Sequence, residues 1–271
     1  LELAADESEI DLTGWVTIRN QSGAEYGDAR LKLIAGDVQR VRNQPVLARR
    51  AHQRALSLSE AASVEPNRQS FFEYHLYDFP RRTTLESNSE KQMKLLSGRG
   101  IDVGKAYVLQ NEVMQHQEQG TQNIKADVIL SFRNSKKNGL NVPLPAGKVR
   151  VLKADNTSIL QLVGEDRIRH RPVNSDVKVK VGRAFDVTAE RKQVDYRRLG
   201  NRGAEVTYSM TVKNHKNRPV ELMVKERLHG DWAIIQESQG SEKLDSATIA
   251  YRLKLRKGAE HTITYTARFN Y

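Results

Sequence analysis

Glu73, His75 and Tyr77 stand two residues apart in the window Phe71 to Pro80, where five of ten residues are Phe or Tyr. In an extended chain, residues two apart share a face. A carboxylate, an imidazole and a phenol therefore line up, a trio able to move protons or hold a metal. The same pattern also describes a strand that pairs aromatic and polar side chains across a sheet. A metal on a sheet needs further ligands from neighbouring strands, and spacing does not supply them. Glu226 and His229 are three apart, which suits a shared metal on a helix. The residues before them alternate with period two, so on a strand end the two side chains diverge. The expectation there is structural: Gly230 permits a turn, Asp231 bonds turn amides, and Trp232 re-enters the core as a buried residue. The sequence has no phosphate-binding glycine loop, no Gly-x-Ser-x-Gly elbow and no His-Glu-x-x-His pair. Cysteine is absent, which excludes disulfides, thiolate metal ligands and a cysteine nucleophile. This reading names no catalytic residue, no metal ligand and no cofactor.

Charge gives a second candidate. The chain of 271 residues carries a formal net charge of +11, which raises encounter rates with polyanions without choosing one. Between Glu165 and Arg202 there are eleven basic and six acidic residues. Alternation places Arg167, Arg169 and Arg171 on one strand face and Lys178 and Lys180 on another, with Arg183 following. Such faces could track an acidic polysaccharide, and these six residues are the polyanion-binding candidates. A solvated edge that resists edge-to-edge pairing fits the same pattern. Nucleic acid calls for interleaved aromatic rings, and this stretch holds only Phe185 and Tyr196, so nucleic acid is not expected as a partner.

The elements that would hold these residues read as strands. Val16 and Ile18 share one face, as do Leu31 and Leu33. Lys148 to Lys153 and Ile159 to Arg169 read as further short strands. The C-terminal third is the most regular: Val206, Tyr208, Met210 and Val212 alternate with polar residues. Val220, Leu222 and Val224 do the same, as do Ile249 to Leu255 and Ile263 to Phe269. Half-buried strands separated by polar turns predict an all-β protein. The predicted form is two antiparallel β-sandwich units. An N-terminal one covers 1–181 and an immunoglobulin-like one covers 182–271, with the boundary near Gly182. Residues 44–68 are read as a short helical or mobile insertion, with Leu47, Ala51, Ala55 and Leu58 at helical spacing after Pro45. No window approaches the ~20 consecutive apolar residues of a membrane span. The opening residues have neither the basic start nor the apolar run of a signal peptide.

Several segments, taken in order, carry a family likeness. They include Leu12-Thr13-Gly14-Trp15-Val16-Thr17, Phe72-Glu73-Tyr74-His75-Leu76-Tyr77, Pro143-Leu144-Pro145-Ala146-Gly147, Ala189-Glu190-Arg191-Lys192, and Asn214-His215-Lys216 with Gly230-Asp231-Trp232. The chain resembles the C-terminal portion of the bacterial family catalogued as domain of unknown function 4139, often labelled mucoidy inhibitor A-like. The resemblance implies a periplasmic, cell-surface or secreted setting and supplies no catalytic residues. The expected role is a non-enzymatic interaction module that binds a protein partner, itself or an acidic polymer. The alternative is a glycan-active enzyme with a site around Glu73, His75 and Tyr77.

Overall fold

The computed structural model describes residues 1–36, 66–71, 74–114 and 119–271. Within them the chain is all-β, and the one helical element is a 3-10 turn, Lys136–Asn138, closed by Gly139 in the left-handed conformation. The predicted insertion at 44–68 falls outside the described residues except for its last three. Of these, Asn67 and Arg68 open a strand.

In chain order the first strands are β1 (Glu2–Leu3), β2 (Glu9–Asn20), β3 (Tyr26–Ala29), β4 (Lys32–Ala35), β5 (Asn67–Phe71), β6 (Tyr74–Asp78), β7 (Thr83–Leu85) and β8 (Ser89–Asp102). The middle of the chain gives β9 (Gly104–Glu112), β10 (Thr121–Asn134), β11 (Gly147–Ala154), β12 (Leu160–Ile168) and β13 (Ser175–Arg198). The last six are β14 (Gly203–Asn214), β15 (Val220–Arg227), β16 (Asp231–Glu237), β17 (Glu242–Asp245), β18 (Thr248–Leu255) and β19 (Glu260–Asn270).

The strands fold into two compact units, and each unit is discontinuous. The first comprises residues 1–103, 132–161 and 167–177; the second comprises 104–131, 162–166 and 178–271. A single cut at 181/182 therefore does not separate them. Residues 104–131 belong with the second unit because β9 and β10 lie between β13 and β15 in its nine-stranded sheet, of order β16-β19-β14-β13-β10-β9-β15-β18-β17. Gly182, read from sequence as a domain start, lies inside β13, which runs unbroken for 24 residues.

The second unit is sandwich-like and owes its core to period-two alternation. Along β14 and β19, inward residues pair across the sheet: Tyr208 opposite Tyr265 and Met210 opposite Ile263. Leu222 opposite Leu253 and Val224 opposite Tyr251 do the same on β15 and β18. All eight are buried, and each such side chain contributes roughly 1.5–3 kcal/mol by leaving water. Not every pair is antiparallel: β9 runs parallel to β15, and β1 runs parallel to β11.

The first unit is built around the long antiparallel pair β2 and β8, which end a sheet of order β12-β11-β1-β2-β8; residues 162–166 of β12 count with the second unit. Beside it is a small sheet of order β4-β6-β5. On β6, Ala35↔His75 and Leu33↔Tyr77 fix the register against β4.

Candidate functional site

The first unit contains a cleft of about 390 Å³ lined by four separate segments. One wall comes from β4 and β6: Gly36 follows β4, and Tyr74, His75 and Tyr77 lie on β6. The other comes from two proline-containing loops, Pro143-Leu144-Pro145 and His170-Arg171-Pro172. Proline suits such loops because its fixed φ holds the chain extended without a donor. The loops are tied to each other. Leu144 and Arg171 form an isolated antiparallel bridge, each N–H donating to the other's carbonyl at 2.8 and 2.9 Å. The buried Asn134 amide donates to the Val142 carbonyl at 2.7 Å and to the Pro172 carbonyl at 3.1 Å. His170 Nδ1 accepts the Ala146 N–H at 3.2 Å. The Tyr77 hydroxyl donates to the Pro143 carbonyl at 2.9 Å, tying the loop to β6. Burial pushes the Tyr77 phenol up from its ordinary value, so it stays protonated and keeps donating.

His75 and Tyr77 thus share a site, as their spacing predicts, but the roles differ. Tyr77 is buried and its hydroxyl holds a loop, whereas His75 is half-buried and faces the cleft. Glu73 lies outside the described residues. Sequence reasoning did not connect Arg171 and His170 to this place, because they lie nearly a hundred residues from His75.

The six polyanion candidates are dispersed. Arg167 and Arg169 are exposed, and Arg169 lies beyond the end of β12. Arg171 turns away into the cleft. These three belong to the first unit, while Lys178, Lys180 and Arg183 belong to the second. Lys180 pairs with Asp127 at 2.6 Å, and Arg183 approaches the same carboxylate at 3.7 Å, so two of the candidate cations carry a counter-ion.

A third feature is an arm formed by the tip of the β11–β12 hairpin. Every residue from Ala154 to Val163 is exposed, among them Ile159, Leu160, Leu162 and Val163 at 42–60%. The turn at its end is tightly held. Asp155 Oδ1 accepts the Thr157 N–H at 2.8 Å, the Thr157 hydroxyl at 2.6 Å and the Ile159 N–H at 3.1 Å, and Oδ2 accepts the Gln161 amide at 3.0 Å. β12 ends its sheet, but beyond the arm it is covered: the Val181 main chain lies against Gly164 and the Lys180 N–H donates to Asp166, so the arm itself is the open part of this edge.

In the core of the second unit, Arg191 donates to Glu226 at 2.9 Å, with both side chains at most 1% exposed. The Tyr265 hydroxyl and the Asn111 amide each donate to Glu226 at 2.8 Å. The Arg191 guanidinium lies 3.7 Å over the Tyr208 ring. Burial works against the Arg191 charge, but Glu226 beside it more than offsets this, and its pKa rises above the ordinary value. The enclosure and the partners describe a structural tie. Glu226 and His229 diverge: Glu226 is buried, whereas His229 is half-buried and meets Glu112 at 2.6 Å. No cluster able to hold a metal occurs among the described residues. Trp232 departs from expectation. It is half-buried, packed on the outside of the core, with its Nε1–H donated to the Ser246 carbonyl at 3.0 Å and Lys243 over its ring. β16 is the last strand of the sheet and pairs with β19 alone.

A family model described as Domain of unknown function (DUF4139) matches residues 1–271. The chain belongs to this family. The match runs through both units and includes every segment that forms the cleft and the arm. No curated protein and no solved structure matches the chain. No helix among the described residues is long and apolar enough to cross a membrane.

Proposed function

We propose that this DUF4139 chain is a non-enzymatic interaction module of the bacterial envelope or extracellular space, and that its arm joins it to a second copy. The setting follows from the family resemblance. The observation that carries the interaction is the arm: exposed Ile159 at its turn, and exposed Leu160, Leu162 and Val163 at the start of the end strand β12, behind a turn fixed by Asp155. A preordered edge loses little conformational freedom on binding, and an edge strand adds a partner strand through main-chain hydrogen bonds. The arm sequence is self-complementary. Antiparallel pairing of two copies about Gln161 sets Leu160 opposite Leu162 of the second copy and Ile159 opposite its Val163, in a two-fold arrangement. The test is light scattering or sedimentation across a concentration series. The parent chain is expected to dimerise, and Leu160→Asp with Leu162→Asp to remain monomeric at the same loading. A parent that stays monomeric throughout rejects self-pairing.

A second reading, a glycan-active enzyme around Glu73, His75 and Tyr77, draws support from the cleft that His75 and Tyr77 line. Most glycoside hydrolases use two carboxyl groups, and none lines the cleft among the described residues. Release of reducing ends from a glycan, abolished by Glu73→Gln, would favour the enzyme over the module.

A further inference from the structure

The cleft of the first unit has chemistry that the interaction module does not use. We propose that it binds a carboxylate-bearing sugar ring, and that Arg171 receives the carboxylate. The proposal adds a ligand to the module above and does not depend on the arm.

Charge is the first argument. Arg171 and His75 line the cleft, and no carboxylate lines it among the described residues. The Arg171 Nε–H is buried and has no acceptor. A guanidinium that has lost part of its hydration to burial, with nothing returned, is destabilising. An anion at its remaining N–H groups offsets that loss through charge-assisted hydrogen bonds. The planar fork of a guanidinium matches the two oxygens of a carboxylate. Arg183 and Arg197, by contrast, face Asp127 and Glu205.

Construction is the second argument. Arg171 is held by main-chain bonds to Leu144 on either side, and its loop is fixed again by Asn134 through Pro172. The facing loop is tied to β6 by Tyr77. His170 accepts the Ala146 N–H at Nδ1, a further tie between the two loops. These ties fix the main chain of the loop that carries Arg171, part of the preorganisation that a binding site requires.

Shape selects the ligand. Tyr74, Pro143, Pro145 and Pro172 give the cleft apolar walls. The Tyr74 ring lies against Gly36, where any Cβ would come within 2.5 Å of it; the glycine, at a φ of +152°, leaves the ring its place. A pyranose has an apolar C–H face for such walls, hydroxyls for the His75 imidazole and, when it is a uronate, one carboxylate. A cleft of this volume lies in the range of small-ligand sites.

The test is calorimetric titration of the full 271-residue chain with a monomeric hexuronate, the matching neutral hexose, inorganic sulfate and a short peptide ending in glutamate. The hexuronate is expected to saturate one site. The neutral hexose should bind at least about tenfold more weakly, and Arg171→Gln should weaken the hexuronate about tenfold or more, the usual scale of a lost charge-assisted bond. Tyr74→Ala should weaken the acidic and neutral sugars alike. If Arg171→Gln does not fold, amide shift mapping on the parent decides, with Ala35, Leu144 and Ala146 expected to move. The proposal is overturned if the hexuronate fails to saturate a site, if neutral hexose binds equally well, or if Arg171→Gln binds as the parent does. It is also overturned if sulfate or the peptide binds at least as tightly as the hexuronate, or if the shifts map away from those amides. The Leu160→Asp, Leu162→Asp variant should bind the sugar unchanged, so failure of the dimer and failure of this site are distinguishable.

Discussion

The Arg191 and Glu226 side chains set the largest single-residue effects expected in the second unit. Two opposite charges are buried together, and Tyr265 and Asn111 fill the remaining positions on the carboxylate. Removing one partner leaves the other as an uncompensated buried charge, which typically costs about 3–5 kcal/mol. Urea unfolding of Glu226→Ala should show a loss of that order. The double change Arg191→Met, Glu226→Leu should recover most of it, because an apolar pair of similar volume carries no desolvation penalty. An unchanged midpoint in Glu226→Ala would mean that the tie does not hold the core. Sequence reasoning missed this pair, although alternation carried its signal. Val187 and Ala189 lead inward to Arg191, and Val220, Leu222 and Val224 lead inward to Glu226, so continuing each alternation by one step puts both charges in the core. Trp232 shows the converse. A buried large aromatic costs about 3–5 kcal/mol on truncation. Half-buried at the last strand of the sheet, Trp232→Ala should cost roughly 1–2 kcal/mol by the same denaturation measurement.

Among elements, the β11–β12 arm depends on its turn. The Thr157 hydroxyl, then the Gln161 amide and the N–H groups of Thr157 and Ile159, hold the Asp155 carboxyl well below the ordinary carboxylate range. With its folded pKa lowered, Asp155 supports the turn fully at pH above its unfolded value of about 3.9, and that support fades as pH falls below it toward the folded value. The arm should therefore remain ordered throughout mildly acidic and neutral solution. In Asp155→Ala the Ile159 amide loses its acceptor, and its hydrogen exchange should accelerate by roughly an order of magnitude. Equal exchange in parent and variant would show that the strand ladder alone orders the turn. Sequence located this hairpin well, since Lys148 to Lys153 and Ile159 to Arg169 fall close to β11 and β12. It misread the next element. Gly182 resembles a break, but β13 passes through it because β10 and β14 flank the strand in the sheet.

For the whole molecule, the discontinuous units make a strong statement about fragments. A fragment of residues 182–271 matches the boundary that the sequence suggests, yet it lacks β9 and β10. The nine-stranded sheet would be cut between β13 and β15, removing Tyr107, Leu109, Val113 and Ala126 from the core. The fragment is expected to show poor amide dispersion and no cooperative melt. A well-dispersed spectrum with a cooperative transition would mean that the C-terminal strands close on themselves.

The sequence by itself determined which side of the regular C-terminal strands is buried, where most turns fall, the all-β class, and the likeness to DUF4139. These are local properties: a period of two is written in neighbouring residues, and Asp, Asn and Gly act on the backbone within two or three positions. Tertiary structure alone decided which strands became neighbours. It took Gly104 to Ser131 into the second unit, carried Arg171 away from Arg167 and Arg169, and set it across a cleft from His75. Local pattern is silent on such choices because any two apolar faces can cover one another. The entropy of closing a loop also rises only with the logarithm of its length, so a partner a hundred residues away costs little more than one nearby.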